Sequence, residues 1–103
     1  MPILTPGRIR HSVVFSLAHD PGSEAEGDFI AAITALERIP GVEAFELMRE
    51  VSPKNDYDYG LTMEFANRDA YTGYNEHPTH VAFVANRWDA EVTDFLEIDT
   101  IAR

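Results

Sequence analysis

Histidine and tyrosine are the side chains of this sequence that have chemistry to offer. An enolisation, aldol or isomerisation step needs a base with a pKa near neutrality to take a proton beside a carbonyl. It also needs a donor to hold the oxygen as that atom becomes negative. Imidazole and phenol supply those two groups, and the chain has four histidines and four tyrosines. His11 interrupts a run of alternate apolar residues, and His77 and His80 stand three apart across Pro78, shortly after Tyr74. The His77/His80 interval is one that metal ligands use. Pro78 breaks any helix between them, however, and no carboxylate stands at a familiar distance, so no metal is expected there. With no cysteine in the chain, disulfides, thiolate nucleophiles and thiolate zinc sites are excluded.

Each candidate also has a plainer reading. His80 can bond a backbone carbonyl and fix the break at Pro78, while Tyr74 fills core. His11 can be a neutral, hydrogen-bonded imidazole in an apolar face, and Tyr59 can bury its ring with the hydroxyl at an edge. Six isolated glycines make no phosphate-cradling loop, and no serine sits in a nucleophile elbow, so no cofactor is expected. Eighteen acidic against eight basic residues give a formal charge of −10, which repels phosphate backbones and anionic headgroups. Nucleic acid and membrane are therefore not expected partners. The charges are scattered, and the acids, Glu97 among them, read as solvated surface. Met1 to Arg10 lack the apolar core of a secretory signal, no apolar run approaches the roughly 20 residues of a membrane span, and a cytoplasmic location is the expectation.

The elements that must position these residues follow from periodicity. Ile9, His11, Val13, Phe15 and Leu17 share one face of a first strand. His19-Asp20-Pro21-Gly22 is a turn, after which Ser23 and Glu26 form a capping box ahead of Phe29, Ile30, Ile33 and Leu36. That helix runs to about Arg38 and is stopped by Pro40-Gly41. Val42 to Val51 alternates poorly, as in a strand contacted on both faces. Tyr57, Tyr59, Leu61, Met63 and Phe65 are the inner stripe of a third strand. Asn67 caps a short helix carrying Tyr71 and Tyr74, which breaks at His77-Pro78. A second short helix begins near Thr79 with Val81, Val84 and Trp88 as its stripe, His80 beside it and Phe83 near. The last strand covers about Thr93 to Ile98, with its register open.

Strand, helix, strand, strand, broken helix, strand is the order of an α+β, ferredoxin-like fold. Its four-stranded antiparallel sheet carries helices on one face. One domain is expected over residues 1–103, with its core at about 9–99. The uncovered sheet face predicts a homodimer, a second copy being the commonest cover.

Three segments carry a resemblance: His11-Ser12-Val13-Val14-Phe15, Ile39-Pro40-Gly41-Val42 and His77-Pro78-Thr79-His80-Val81. In this order and spacing they resemble the stress-responsive dimeric α/β-barrel (Dabb) family over roughly Ile9 to Asp99. The resemblance implies a dimer in which two sheets close into a barrel. The family includes olivetolic acid cyclase, a polyketide cyclase working by aldol condensation, beside stress-induced proteins without assigned activity. By that resemblance His80 is the general base and Tyr74 the hydroxyl beside it, with His11 on the pocket wall. Tyr59 stands where the cyclase has a further histidine, a departure that bears on substrate. Some relatives hold a cation on backbone carbonyls, which correspond here to Leu36, Ile39 and Val42.

Two functional expectations follow. In one, the chain is a cofactor-independent lyase, cyclase or isomerase on a polyketide-like or other carbonyl compound. His80 and Tyr74 then do the chemistry, and His11, Tyr59, Val13, Phe15, Leu61 and Phe83 line the pocket. In the other, it is a non-catalytic stress or structural dimer in which His80 only sets the helix break.

Overall fold

A computed structural model describes residues 3–103; Met1 and Pro2, the start of the segment read above for a signal, lie outside them. The alternation of the first strand is realised as β1 (Ile9–Leu17), with every odd residue buried and every even one half-buried. Helix α1 (Glu24–Thr34) starts where Ser23 Oγ accepts the Glu26 N–H at 3.1 Å. The reciprocal half of the capping box is displaced by one residue, because Glu26 Oε1 accepts from the Gly22 N–H at 2.8 Å. A 3₁₀ turn over Ala35–Arg38 completes the helix, and Gly41, at φ 94°, turns the chain out of it.

Strand β2 (Glu43–Arg49) pairs with β3 (Tyr59–Phe65), β3 with β1, and β1 with β4 (Val92–Thr100), so the antiparallel sheet has the order β2-β3-β1-β4. The poor alternation of β2 has a different cause from the one expected. Its register slips between Glu43 and Glu46, where Ala44 takes φ 49°, so a bulge on an edge strand, not contact on both faces, breaks the pattern.

The second helical layer is interrupted as its sequence requires. Helix α2 (Arg68–Glu76) is capped by Asn67 Oδ1 on the Ala70 N–H. Helix α3 (Pro78–Phe83) begins at the proline, followed by a π-turn over Val84–Trp88 and one turn of α4 (Asp89–Glu91). The π-turn changes the expected stripe. Val81 is 52 % exposed, whereas Phe83 is buried and meets Trp88 five residues on, ring centroids 6.5 Å apart. Five residues per closing hydrogen bond bring i and i+5 onto the core face.

All helices cover one face of the sheet. Phe15, Phe29, Ile33, Met63 and Phe65 are fully buried between the layers. Val14 and Leu96 are cross-strand partners on the other face, as are Ser12 and Ile98, and Leu96 and Ile98 remain about half exposed. No helix among the described residues is long and apolar enough to cross a membrane.

Candidate functional site

Between sheet and helices lies a cavity of about 280 Å³, and His11, Val13, Leu61, Tyr74, His80 and Phe83 all line it. Six of the eight residues expected at a site are thereby brought together. Tyr59 and Phe15 are not on its wall. Their rings stack on each other at 5.3 Å, and Phe15 is wedged against Trp88 at 5.1 Å, so both serve the core at the far end of the sheet face. Ile33, Leu36, Val84 and Trp88 add to the wall, and the exposed lining residues Asn75, Asp89, Phe95 and Glu97 mark its mouth.

The break at Pro78 is what aims His80. His77 ends α2 and caps α3, its Nδ1 accepting the Thr79 N–H at 3.1 Å. That cap holds the His77 ring against the main chain, and His77 is not on the cavity wall. One turn on, His80 Nδ1 lies 3.2 Å from the Asn75 carbonyl oxygen. A carbonyl can only accept, so the proton of neutral His80 is on Nδ1, and Nε2 keeps its lone pair. The bond to the main chain anticipated by the structural reading is therefore present, and it leaves the other ring nitrogen free to act as a base. Burial holds the His80 pKa below the ordinary histidine value, and His11 adds to the lowering. The Asn75 carbonyl and the negative Glu97 oppose it.

Tyr74 stacks obliquely against His80, ring centroids 4.3 Å apart. Only 2 % of it is exposed, and no hydrogen bond to its hydroxyl is found among the described residues. No fully buried side-chain oxygen or nitrogen among those residues lacks a partner, so the Tyr74 hydroxyl meets cavity space. Burial, and secondarily Glu97, push its pKa well above the usual phenol value, which keeps it a proton-bearing donor.

His11 is held from the opposite wall. It pairs across strands with Asp99, and its Nδ1 donates to Asp99 Oδ1 at 2.7 Å. The Tyr71 hydroxyl donates to Asp99 Oδ2 at 2.9 Å and lies 3.1 Å from the same Nδ1. Tyr71, Glu97 and Asp99 are the residues that sequence reading missed. Glu97, read as solvated charge, faces the cavity because it pairs with Val13. The signal was there in the alternation Phe95, Glu97, Asp99, which the open register of the last strand concealed. Of the carbonyls considered for a cation, that of Leu36 accepts the Ile39 N–H and that of Ile39 accepts the Val42 N–H.

The profile of the Stress responsive A/B Barrel Domain matches residues 9–102. The chain belongs to the Dabb family. A Dabb-family protein of ferredoxin-like fold from Mesorhizobium loti superposes with a TM-score of 0.91 at 52 % identity, covering 94 % of this chain and 98 % of the other. A dimeric ferredoxin-like protein of unknown function from Bacteroides fragilis gives 0.70 at 26 % identity, covering 96 % and 99 %. A hydroxynitrile lyase from Passiflora edulis gives 0.83 at 14 % identity, covering 96 % of each chain, a likeness of fold alone. No curated protein matches the sequence significantly. For this Dabb chain the fold is thus fixed, while its chemistry must be argued from the cavity.

Proposed function

We propose that this Dabb protein is a homodimer whose cavity binds a small carbonyl compound and acts on it as a cofactor-independent lyase, cyclase or isomerase. His80 is the base: Nε2 takes a proton from the carbon beside the carbonyl. The electron pair released becomes the enolate, and the Tyr74 hydroxyl donates to the oxygen as its charge develops. His11, Val13, Leu61 and Phe83 line the space in which the substrate lies.

One observation carries this reading. The neutral His80 ring, its tautomer set by Asn75, and an unpartnered Tyr74 hydroxyl share a single cavity. The volume, near the lower end of the ~300–1,000 Å³ typical of ligand pockets, suits a compound of one ring or a short chain. The homodimer is supported by the half-exposed Leu96 and Ile98 on the uncovered sheet face and by the dimeric Bacteroides fragilis relative.

A second reading, a stress or structural dimer without chemistry, is favoured by the same His80–Asn75 bond at the helix break. Titrating a panel of small aryl ketones, β-ketoesters and aromatic hydroxynitriles into labelled protein separates the two. Saturable shifts centred on His80, Tyr74 and His11 support the first. Shifts absent from the cavity for every compound support the second.

A further inference from the structure

We propose that His11, Glu97 and Asp99 form a binding site for one first-row divalent cation of the zinc or manganese class, set in the wall of the cavity. The three residues project from neighbouring strands onto one face, because His11 pairs with Asp99 and Val13 with Glu97. Each offers one donor atom, and these atoms lie within 4.8 Å of one another. Metal–ligand bonds of about 2.0–2.2 Å at tetrahedral angles put donors about 3.3–3.6 Å apart, so the cluster closes on a cation when its widest pair of donors draws together by about 1–1.5 Å, a shift shared between two side chains.

The donor set is one imidazole nitrogen and two carboxylates, which suits zinc or manganese. Three protein ligands leave further positions open. Here those positions face the cavity, since His11 and Glu97 are both on its wall. The support a ligand set needs is also built. The His11 side chain is 10 % exposed, and Tyr71 donates to Asp99 Oδ2 at 2.9 Å, orienting a ligand from behind. Without a cation, the 2.7 Å approach of Nδ1 to Oδ1 is held by a proton. Glu97 meanwhile joins no ion pair among the described residues, and no lysine or arginine lines the cavity to balance it. A cation would displace that proton and satisfy both carboxylates. The site is independent of the proton-transfer reading: a protein without activity on carbonyl compounds can still bind the ion, and an active one can lack it.

The test uses the full-length protein, freed of metal by a chelator. Mn²⁺ alone is titrated while amide and imidazole resonances are followed, and Zn²⁺ is titrated calorimetrically in two buffers of different ionisation enthalpy. The expected result is one ion per chain, paramagnetic broadening centred on His11, Glu97 and Asp99, and protons released on binding. Tyr71→Phe should weaken binding about tenfold, as loss of an outer-shell partner does, and Glu97→Gln should weaken it more. Glu97 is exposed, so Glu97→Gln should fold. His77→Asn, which alters a capping histidine away from the cavity wall, should bind as the parent does. Absence of saturable binding, broadening centred on other acids, or unchanged affinity in Glu97→Gln would overturn the proposal.

Discussion

Tyr74 and His80 stand on opposite sides of the Pro78 break with their ring centroids 4.3 Å apart. An unbroken helix places residues six apart on different faces. The break folds them onto one, so that a phenol and an imidazole from two short helices serve the same cavity.

If the Tyr74 hydroxyl serves the cavity and not the fold, Tyr74→Phe should leave stability within about 0.5 kcal/mol of the parent, because no protein hydrogen bond is lost. Turnover of any carbonyl substrate found should drop by about 10²-fold or more, since one oxyanion donor is gone. Urea denaturation and rate measurements on the same variant check both halves.

The working form of His80 is the neutral base, and burial lowers its pKa from the ordinary value of 6.5. Lowering favours the neutral form. The acid limb of kcat/KM should therefore fall below pH 6.5, where a solvated histidine would already be half protonated. The same sign holds for folding. Protonation favours the unfolded chain, so the stability His80 contributes is full above 6.5 and is lost as pH falls through its folded pKa. A histidine titration by NMR, beside the pH–rate profile, checks the direction.

Phe15 has no exposed surface and touches Phe29, Tyr59 and Trp88 within ring distances of 5.1–6.1 Å. Phe15→Ala should cost about 3–5 kcal/mol through lost transfer energy and the void left behind. Chemical denaturation reads this directly. A loss under about 1 kcal/mol would contradict the core described.

On the uncovered sheet face, Leu96 and Ile98 expose 51 % and 48 % of their surface. If that face carries the proposed dimer contact, replacing both with aspartate should give a folded monomer, because apolar burial between copies gives way to like charges facing each other. Sedimentation of parent and variant with circular dichroism tests this. A parent that is already monomeric at micromolar concentration would remove the dimer from the account.

Much of this architecture is legible in the residues themselves. The odd-numbered stripe of β1, the Ser23 and Asn67 caps and the Pro78 break are local signals, and each appears where the sequence puts it. What escaped was non-local. The bulge at Ala44 and the π-turn after Phe83 change the period within an element, which misassigned the cause in β2 and placed Val81 inside. Asp99 reaches His11 across 88 positions of sequence, a relation set by strand register that no spacing rule conveys. Tyr59 lies in the predicted strand and on the predicted face. Stacking on Phe15 takes it away from the cavity, and only the lateral position along the sheet decides that.

The central claim is that His80 is a base acting on a carbonyl compound bound beside Tyr74. The most direct test is the rate of α-proton exchange into D₂O for a small aryl ketone, followed by NMR with the parent protein and with His80→Gln. The account predicts saturable acceleration by the parent and a loss of about 10²–10⁴-fold in the variant, the usual contribution of a positioned general base. Exchange that the parent does not accelerate for any ketone shown to occupy the cavity, or that His80→Gln accelerates equally, would contradict it.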